Sequence, residues 1–245
     1  MVIGDYNNDG WIDLALASSG ALDFRILTNN GNGTLTAAPT QLLANGGSYI
    51  TANDFNADGL LDIAAIDFVQ SVAAVKIFKN IGNATFTALA SYSVTQGPTV
   101  VSSGDLNGDN RPDLVVGSFY NNAFDIFLNT GNGQFTLLHT ETKVSSPRAI
   151  LIQDVNGDQK PDLILTHWEE FTISVWINNG NGTFQKGIYY ATGNSPGEAS
   201  LADIDGDGLP DLAISNKNNN TISILRNKGQ GHFGSASIVA TPLPV

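Results

Sequence analysis

Apolar residues fall in short blocks along this chain, separated by clusters of Asp, Asn and Gly, and nowhere hold the 3.6-residue period of a helix. Each block resolves into the same succession. A short apolar run such as Ala149-Ile150-Leu151-Ile152 predicts a first strand, and Asp113-Leu114-Val115-Val116 or Asp162-Leu163-Ile164-Leu165 a second. Period-two alternation in Ile173-Ser174-Val175-Trp176-Ile177 and Ile222-Ser223-Ile224-Leu225 predicts a third. A turn follows: Asn30-Gly31-Asn32-Gly33, Ile81-Gly82-Asn83-Ala84, Thr130-Gly131-Asn132-Gly133, Asn179-Gly180-Asn181-Gly182 or Lys228-Gly229-Gln230-Gly231. Such residues accept the positive φ of hairpin turns. Beyond it Leu35, Phe86, Phe135, Phe184 or Phe233 opens a fourth strand.

The succession recurs. Segments starting at Asp5, Asp54, Asp105, Asp154 and Asp203 align at intervals of 49, 51, 49 and 49 residues. The two extra residues lie between Asp62 and Phe86 and lengthen a hairpin loop around Phe68 to Ser71. The units, about 1–49, 50–100, 101–149, 150–198 and 199–245, fill the chain as one domain. Four antiparallel strands at this period describe a blade, so the expected fold is an all-β propeller of five four-stranded antiparallel blades. A solenoid coil is usually shorter, and a lone sheet of this size could not bury both faces.

Composition narrows the function. The 245 residues carry 23 Asp+Glu against 11 Lys+Arg, a net charge of −12, with 26 Gly and 26 Asn. Only 14% of residues are charged, well below the ~25% of an ordinary domain, so the acidity is local. Lack of clustered basic residues argues against nucleic acid and basic membrane-surface binding. No apolar run approaches the ~18 residues of a membrane span, so no membrane insertion is expected. The absence of cysteine excludes disulfides and thiolate sites. Residues 1–20 lack the basic start and apolar stretch of a signal peptide.

The acidity gathers between the first two strands. Every loop there fits Asp-x-Asn/Asp-x-Asp-x-x-x-Asp: Asp5, Asn7, Asp9 and Asp13; Asp54, Asn56, Asp58 and Asp62; Asp105, Asn107, Asp109 and Asp113; Asp154, Asn156, Asp158 and Asp162; Asp203, Asp205, Asp207 and Asp211. Alternate side chains in a tight loop converge, and hard oxygens converging on one point suit Ca²⁺ better than the smaller, water-retaining Mg²⁺. Positions 1, 3, 5 and 9 would supply side-chain oxygens. Position 7 (Trp11, Leu60, Arg111, Lys160 and Leu209) would supply a backbone carbonyl. Position 6 asks for a sharp turn, which Gly10, Gly59, Gly208 and Asn110 suit; Gln159 suits it least, so the fourth site is expected to be the most strained or the weakest. Sixteen of the 23 acidic residues occupy these positions, more than isolated Asx-turns require. EF-hand loops start alike but are flanked by helices. Up to five Ca²⁺, one per blade, would offset most of the −12.

Loop and repeat together resemble the FG-GAP or VCBS repeat family, the Ca²⁺-binding propeller blades of integrin α-subunits, some mushroom lectins and many bacterial surface proteins. The resemblance covers all five units, although the Phe-Gly pair of the family's name is intact only at Phe233-Gly234. It implies that the loop binds Ca²⁺, and it implies extracellular adhesion or glycan recognition. Most relatives form seven blades, against five units here. A closed ring would be a monomer, and an open one would pair with another chain.

Catalysis has little support. His139, His167 and His232 lie in separate units, and Ser195-Pro196-Gly197 reads as a connection between blades. Strand direction places the acidic loops and Asn-Gly hairpins on one face. The loops between second and third strands lie on the other: Ser18 to Leu22, Asp67 to Val72, Phe119 to Ala123, His167 to Phe171 and Asn216 to Asn220. There Phe68, Phe119, Tyr120 and Trp168 either contact a glycan or protein ligand or pack between blades. The glycan-acceptor patterns at Asn32, Asn83, Asn181 and Asn219 sit mostly in hairpin turns that favour Asn anyway. The expected function is a calcium-stabilised, non-enzymatic extracellular binding or adhesion module. The alternatives are a structural segment of a larger propeller without its own ligand site, or a polysaccharide-acting enzyme.

Overall fold

A computed structural model describes residues 1–18, 23–39, 41–42, 49–69 and 72–241. Among these residues there is no helix, and the strands form five antiparallel sheets, one per repeat, arranged as the blades of a five-bladed propeller. The first blade holds β1 (Val2–Gly4), β2 (Asp13–Ser18), β3 (Asp23–Asn29), β4 (Leu35–Ala37) and β5 (Gln41–Leu42). The second holds β6 (Ile50–Asn53), β7 (Asp62–Val69), β8 (Val72–Asn80) and β9 (Phe86–Ser93). The third holds β10 (Pro98–Gly104), β11 (Asp113–Ser118), β12 (Ala123–Gly131) and β13 (Gln134–Thr142). The fourth holds β14 (Pro147–Gln153), β15 (Asp162–His167), β16 (Thr172–Trp176) and β17 (Ile188–Ala191). The fifth holds β18 (Pro196–Ala202), β19 (Asp211–Asn216), β20 (Thr221–Leu225) and β21 (Ser237–Ala240).

Within each blade, strands pair in chain order, and the first strands line up side by side as β1, β6, β10, β14 and β18. The extra length of the second unit extends the β7–β8 hairpin to the pair Val69 with Val72; its tip, residues 70 and 71, lies outside the described residues.

The outer strands depart from the expected pattern. In the first blade the outer position is split, β4 and β5 both pairing with β3, and Pro39, which has no N–H to give, lies between them. In the fourth and fifth blades Phe184 and Phe233 make only isolated bridges, to Asn178 and Asn227, and the outer strand starts later, at Ile188 and Ser237. The same stretch is irregular in the second and third blades, where the register shifts at Ile77/Phe78 and Ile126/Phe127. In the fourth blade the indole of Trp176 lies against the outer segment. A Cβ on Gly187 would fall 2.5 Å from that ring, so only glycine lets the backbone come so near.

Period two puts neighbouring residues of a strand on opposite faces, and both faces are used. Ile63 and Ala65 of β7 pack with Tyr6, Ala15 and Phe24 of the first blade, while Ala64 and Ile66 pack with Leu114, Val116 and Phe127 of the third. Equivalent clusters join the third blade to the fourth and the fourth to the fifth. β7 (through Asp67), β11 and β15 are therefore buried at every position. Each large apolar side chain so enclosed contributes about 1.5–3 kcal/mol. Among the described residues no buried cluster joins the fifth blade to the first.

Candidate metal centre

The acidic loops are built by their own hydrogen bonds. The carboxylate at position 1 accepts backbone N–H groups from across the loop: Asp5 from Asp9 (3.1 Å) and Gly10 (2.8 Å), Asp54 from Asp58 (3.1 Å) and Gly59 (2.7 Å). Asp105 bonds Gly108 and Asn110, Asp154 bonds Gly157 and Gln159, and Asp203 bonds Gly206 and Gly208, all at 2.7–3.0 Å. To aim those groups inward the chain turns left-handed twice, at position 6 as expected and also at position 4. Gln159 (φ 66°) adopts the same conformation as Asn110 (63°), and at position 4 Ala57 stands at 61° where the four other loops have Gly or Asn at 62–84°. The position-5 carboxylate accepts the N–H of position 7, as in Asp9 with Trp11 at 2.8 Å.

Position 9 does something the motif alone does not reveal. Asp13, Asp62, Asp113, Asp162 and Asp211 are fully buried. One oxygen of each accepts the N–H of position 2, at 2.9–3.1 Å (Tyr6, Phe55, Leu106, Val155 and Ile204). The other accepts the N–H of an Asn at the far end of the third strand: Asn29, Asn80, Asn129, Asn178 or Asn227, at 2.7–2.9 Å. The carboxylate thus ties the loop to the sheet. Burial, partly offset by these N–H groups, lifts Asp62 and Asp113 to about 6, and their own loop's aspartates add to the rise. Asp162 moves the same way for the same reasons. At Asp211 burial again pushes upward, but the Asn227 N–H and the Arg226 guanidinium outweigh it and hold the carboxyl below its usual range.

Those Asn side chains reach further. Asn80 Nδ2 donates to Tyr6 O at 2.8 Å, Asn129 to Phe55 O at 2.9 Å, Asn178 to Leu106 O at 3.0 Å and Asn227 to Val155 O at 2.9 Å. Each blade is therefore latched to the loop of the blade before it. The acceptors, at position 2, are buried beneath the next blade.

Basic side chains sit beside four of the loops. Lys79 lies 3.1 Å from Asp58, Arg111 2.6 Å from Asp109 and Lys160 3.7 Å from Asp158, while Arg226 reaches Asp211 at 2.7 Å and Asp205 at 3.6 Å. The exposed pairs at Asp58, Asp109 and Asp158 are worth no more than about 1 kcal/mol each, whereas Arg226 reaches a buried carboxylate in Asp211. Among the described residues, the fifth loop brings three carboxylates together: oxygens of Asp203, Asp205 and Asp211 lie within 4.8 Å of one another. The other loops carry Asn at position 3, and in three of them its amide instead bonds a loop carboxylate: Asn7 with Asp9 at 2.8 Å, Asn56 with Asp62 at 2.8 Å and Asn107 with Asp109 at 3.0 Å. The donors are oxygen throughout, and several carboxylates crowd together. That chemistry fits a hard divalent cation.

The opposite end of the blades is not uniform. Where the second strand ends, the equivalent positions hold buried Asp67 paired with part-exposed Lys76 in the second blade, Ser118 and Asp125 in the third, His167 bonded to Ser174 in the fourth and Asn216 bonded to Ser223 in the fifth. Three of these pairs hold the connection arriving from the previous blade. Asp125 accepts from Thr95 N and Ser118 donates to Thr95 O; His167 Nδ1 bonds Ser145 O at 2.6 Å; Ser223 accepts from Gly193 N at 2.9 Å. His167 Nε2 meets Ser174 Oγ at 2.7 Å, and burial holds its imidazole below the ordinary value of 6.5. Toward the central axis Arg148 lies over the rings of Tyr49 (5.6 Å) and Trp168 (5.8 Å), and Lys217 lies 6.0 Å from Trp168. Beneath is a cavity of about 410 Å³ lined by Tyr49, Ile50, Val100, Ile150 and Glu198. Of the aromatics expected on this face, Tyr120 is 72% exposed and packs edge-on against Phe119 at 5.1 Å, while Phe68, Phe119 and Trp168 are half-buried.

A propeller whose every blade carries an Asp-rich loop between its first two strands is the class of protein that fold and loops define. The chain belongs to the FG-GAP repeat family: FG-GAP-like repeats match residues 5–65, 54–116, 105–165 and 154–214, and an FG-GAP repeat matches 195–239. Solved structures that share the fold include three from different sources. A functionally unknown protein from Desulfotomaculum acetoxidans DSM 771 is 11% identical (TM-score 0.71), with 95% of this chain matching 68% of that one. The Pseudomonas aeruginosa periplasmic gluconolactonase PpgL is 13% identical (TM-score 0.71; 97% of this chain, 69% of that one). BBS1N, solved in complex with ARL6DN, is 14% identical (TM-score 0.69; 99% and 68%). The chain thus spans about two-thirds of their length. No curated protein sequence matches it.

Proposed function

We propose that this protein is a calcium-stabilised, non-enzymatic binding module acting outside the cell, with its ligand face opposite the acidic loops. The observation that carries the reading is the contrast between the blade ends: one repeats the same bonds five times, the other differs among the second to fifth blades. A surface held constant suits a structural metal; a surface free to vary suits recognition. Ca²⁺ would be held by the side chains at positions 1, 3, 5 and 9 and the carbonyl at position 7 of each loop. It would supply positive charge where carboxylates crowd. The residues themselves set the loop's shape through its hydrogen bonds, and the reading is supported at the fifth loop, where oxygens of Asp203, Asp205 and Asp211 lie within 4.8 Å of one another. A chelator is expected to lower the melting temperature by many degrees, because an ion bound only by the folded state stabilises it by mass action. An unchanged melt after verified calcium removal would refute the metal half.

The ligand would sit over Tyr49, Arg148 and Trp168 at the mouth of the axial cavity. Flat rings alternating with cations stack on sugars or anchor a protein partner. A protein partner has a parallel in BBS1N, which was solved in complex with ARL6DN. Glycan arrays and partner pull-downs with the intact protein, repeated with Arg148→Ala and Trp168→Ala, test the site. Retention of every binding signal by both variants would move the ligand elsewhere.

A further inference from the structure

We infer that Asn32, in the hairpin turn after β3, is a site of spontaneous modification: the backbone nitrogen of Gly33 displaces its side-chain amide and leaves aspartate or isoaspartate. The first and fourth blades carry the same six residues at this turn, Asn29-Asn30-Gly31-Asn32-Gly33-Thr34 and Asn178-Asn179-Gly180-Asn181-Gly182-Thr183. They also fold alike. Thr34 N and Oγ1 donate to Asn32 Oδ1 at 3.0 and 2.7 Å, and Thr183 N and Oγ1 donate to Asn181 Oδ1 at 3.1 and 2.6 Å. Gly31 N donates to Asn29 Oδ1 at 3.0 Å, as Gly180 N does to Asn178 Oδ1 at 2.7 Å. One bond separates the two turns. Gly182 is buried and its N–H donates to Leu106 O of the third blade at 2.9 Å, whereas Gly33 is exposed and its N–H has no acceptor among the described residues.

Among the described residues, every other glycine nitrogen that follows an Asn is held as well. Gly133 N donates to Phe55 O of the second blade at 2.9 Å, and in the acidic loops Gly108 N and Gly157 N donate to Asp105 at 2.8 Å and Asp154 at 2.7 Å. Each must give up its hydrogen bond before it can attack the side chain preceding it. Gly33 N has no such bond to lose, and glycine has no side chain to obstruct the approach to Asn32 Cγ. As the N–Cγ bond forms, the amide proton of Gly33 passes to solvent and negative charge gathers on Oδ1. The two Thr34 donors stabilise that charge as an oxyanion site does. The Cγ–Nδ2 bond then breaks, Nδ2 takes a proton from water and leaves as ammonia, and a cyclic imide remains. Water opens the imide at either carbonyl, giving aspartate or isoaspartate. Either product adds a negative charge to the −12. Isoaspartate also routes the main chain through Cγ, lengthening the turn that joins β3 to β4.

The test is peptide mapping of the intact protein after incubation in warm, mildly alkaline buffer, with fragmentation mass spectrometry locating the acid and isoaspartyl products. Asn32 should convert about tenfold or more faster than Asn181, and a more acidic band should grow on isoelectric focusing at the same pace. In denaturant the shared hexapeptide should convert at one rate in both places, because the protection belongs to the fold and not to the local sequence. Thr34→Val removes one oxyanion donor at an exposed position and should slow conversion of Asn32 several-fold in the folded protein. Equal rates at Asn32 and Asn181 in the folded protein overturn the proposal. So does an Asn32 that keeps its amide, or a Thr34→Val protein that converts as fast as its parent.

Discussion

At the acidic-loop end, five blades use one bonding scheme; at the other end, the second to fifth blades fill the same register with an ion pair, a Ser and an Asp, a His–Ser pair and an Asn–Ser pair. The difference is one of geometric demand. A buried position-9 carboxylate must accept two backbone N–H groups from separate segments, and among side chains only a carboxylate offers two acceptor oxygens with no hydrogen between them. The register at the opposite end must only hold an incoming connection and leave no polar group bare. Many residue combinations do that, so the end is free to diverge.

The sharpest way to break the comparison is one substitution at each end of β11. Asp113→Ala strips the acceptor from two buried N–H groups, a loss of about 4 kcal/mol, whereas Ser118→Ala removes one bond worth about 1 kcal/mol. Urea midpoints of the two variants should differ accordingly; equal shifts would mean the ends are equivalent. Next is Lys76→Met, which leaves the buried Asp67 without its ammonium and should cost about 3 kcal/mol, making the variable end sensitive where a charge is involved.

A smaller effect separates blades at the variable end. His167 is neutral when folded and titrates below 6.5, while the unfolded chain titrates near 6.5. Its contribution is therefore complete above pH 6.5 and declines as pH falls toward the folded value. Glu170 and the Ser145 carbonyl oppose the shift without cancelling it. His167→Asn, which copies Asn216 of the fifth blade, should flatten the melting temperature between pH 7 and 5.5 relative to the parent; parallel curves would exclude the histidine. Smallest of all, Ala57→Gly relieves a left-handed alanine and should gain about 1 kcal/mol, visible as a slightly higher urea midpoint.

Blades, period and acidic loops were legible because each is a repeated pattern of residue types. The latch was legible in principle. Asn29, Asn80, Asn129, Asn178 and Asn227 recur once per unit, but they stand just before turns where Asn needs no special reason. The role of position 9 was hidden because a ligand and a structural brace both ask for aspartate. The broken outer strands in the fourth and fifth blades arise from local bulging and the Trp176–Gly187 contact, which strand propensity does not encode. Pairs such as His167 with Ser174 escape notice because nothing about them repeats.

The latch also bears on how such a chain can have grown. Its donor and acceptor lie 72–74 residues apart, one and a half units, yet every unit contains one of each. Any tandem duplication of one full period, wherever its breakpoints fall, therefore inserts a blade already able to grip its predecessor and be gripped by its successor. Gain or loss of whole periods needs no compensating substitution at the junction, whereas gain or loss of a fraction of one leaves an Asn without a carbonyl.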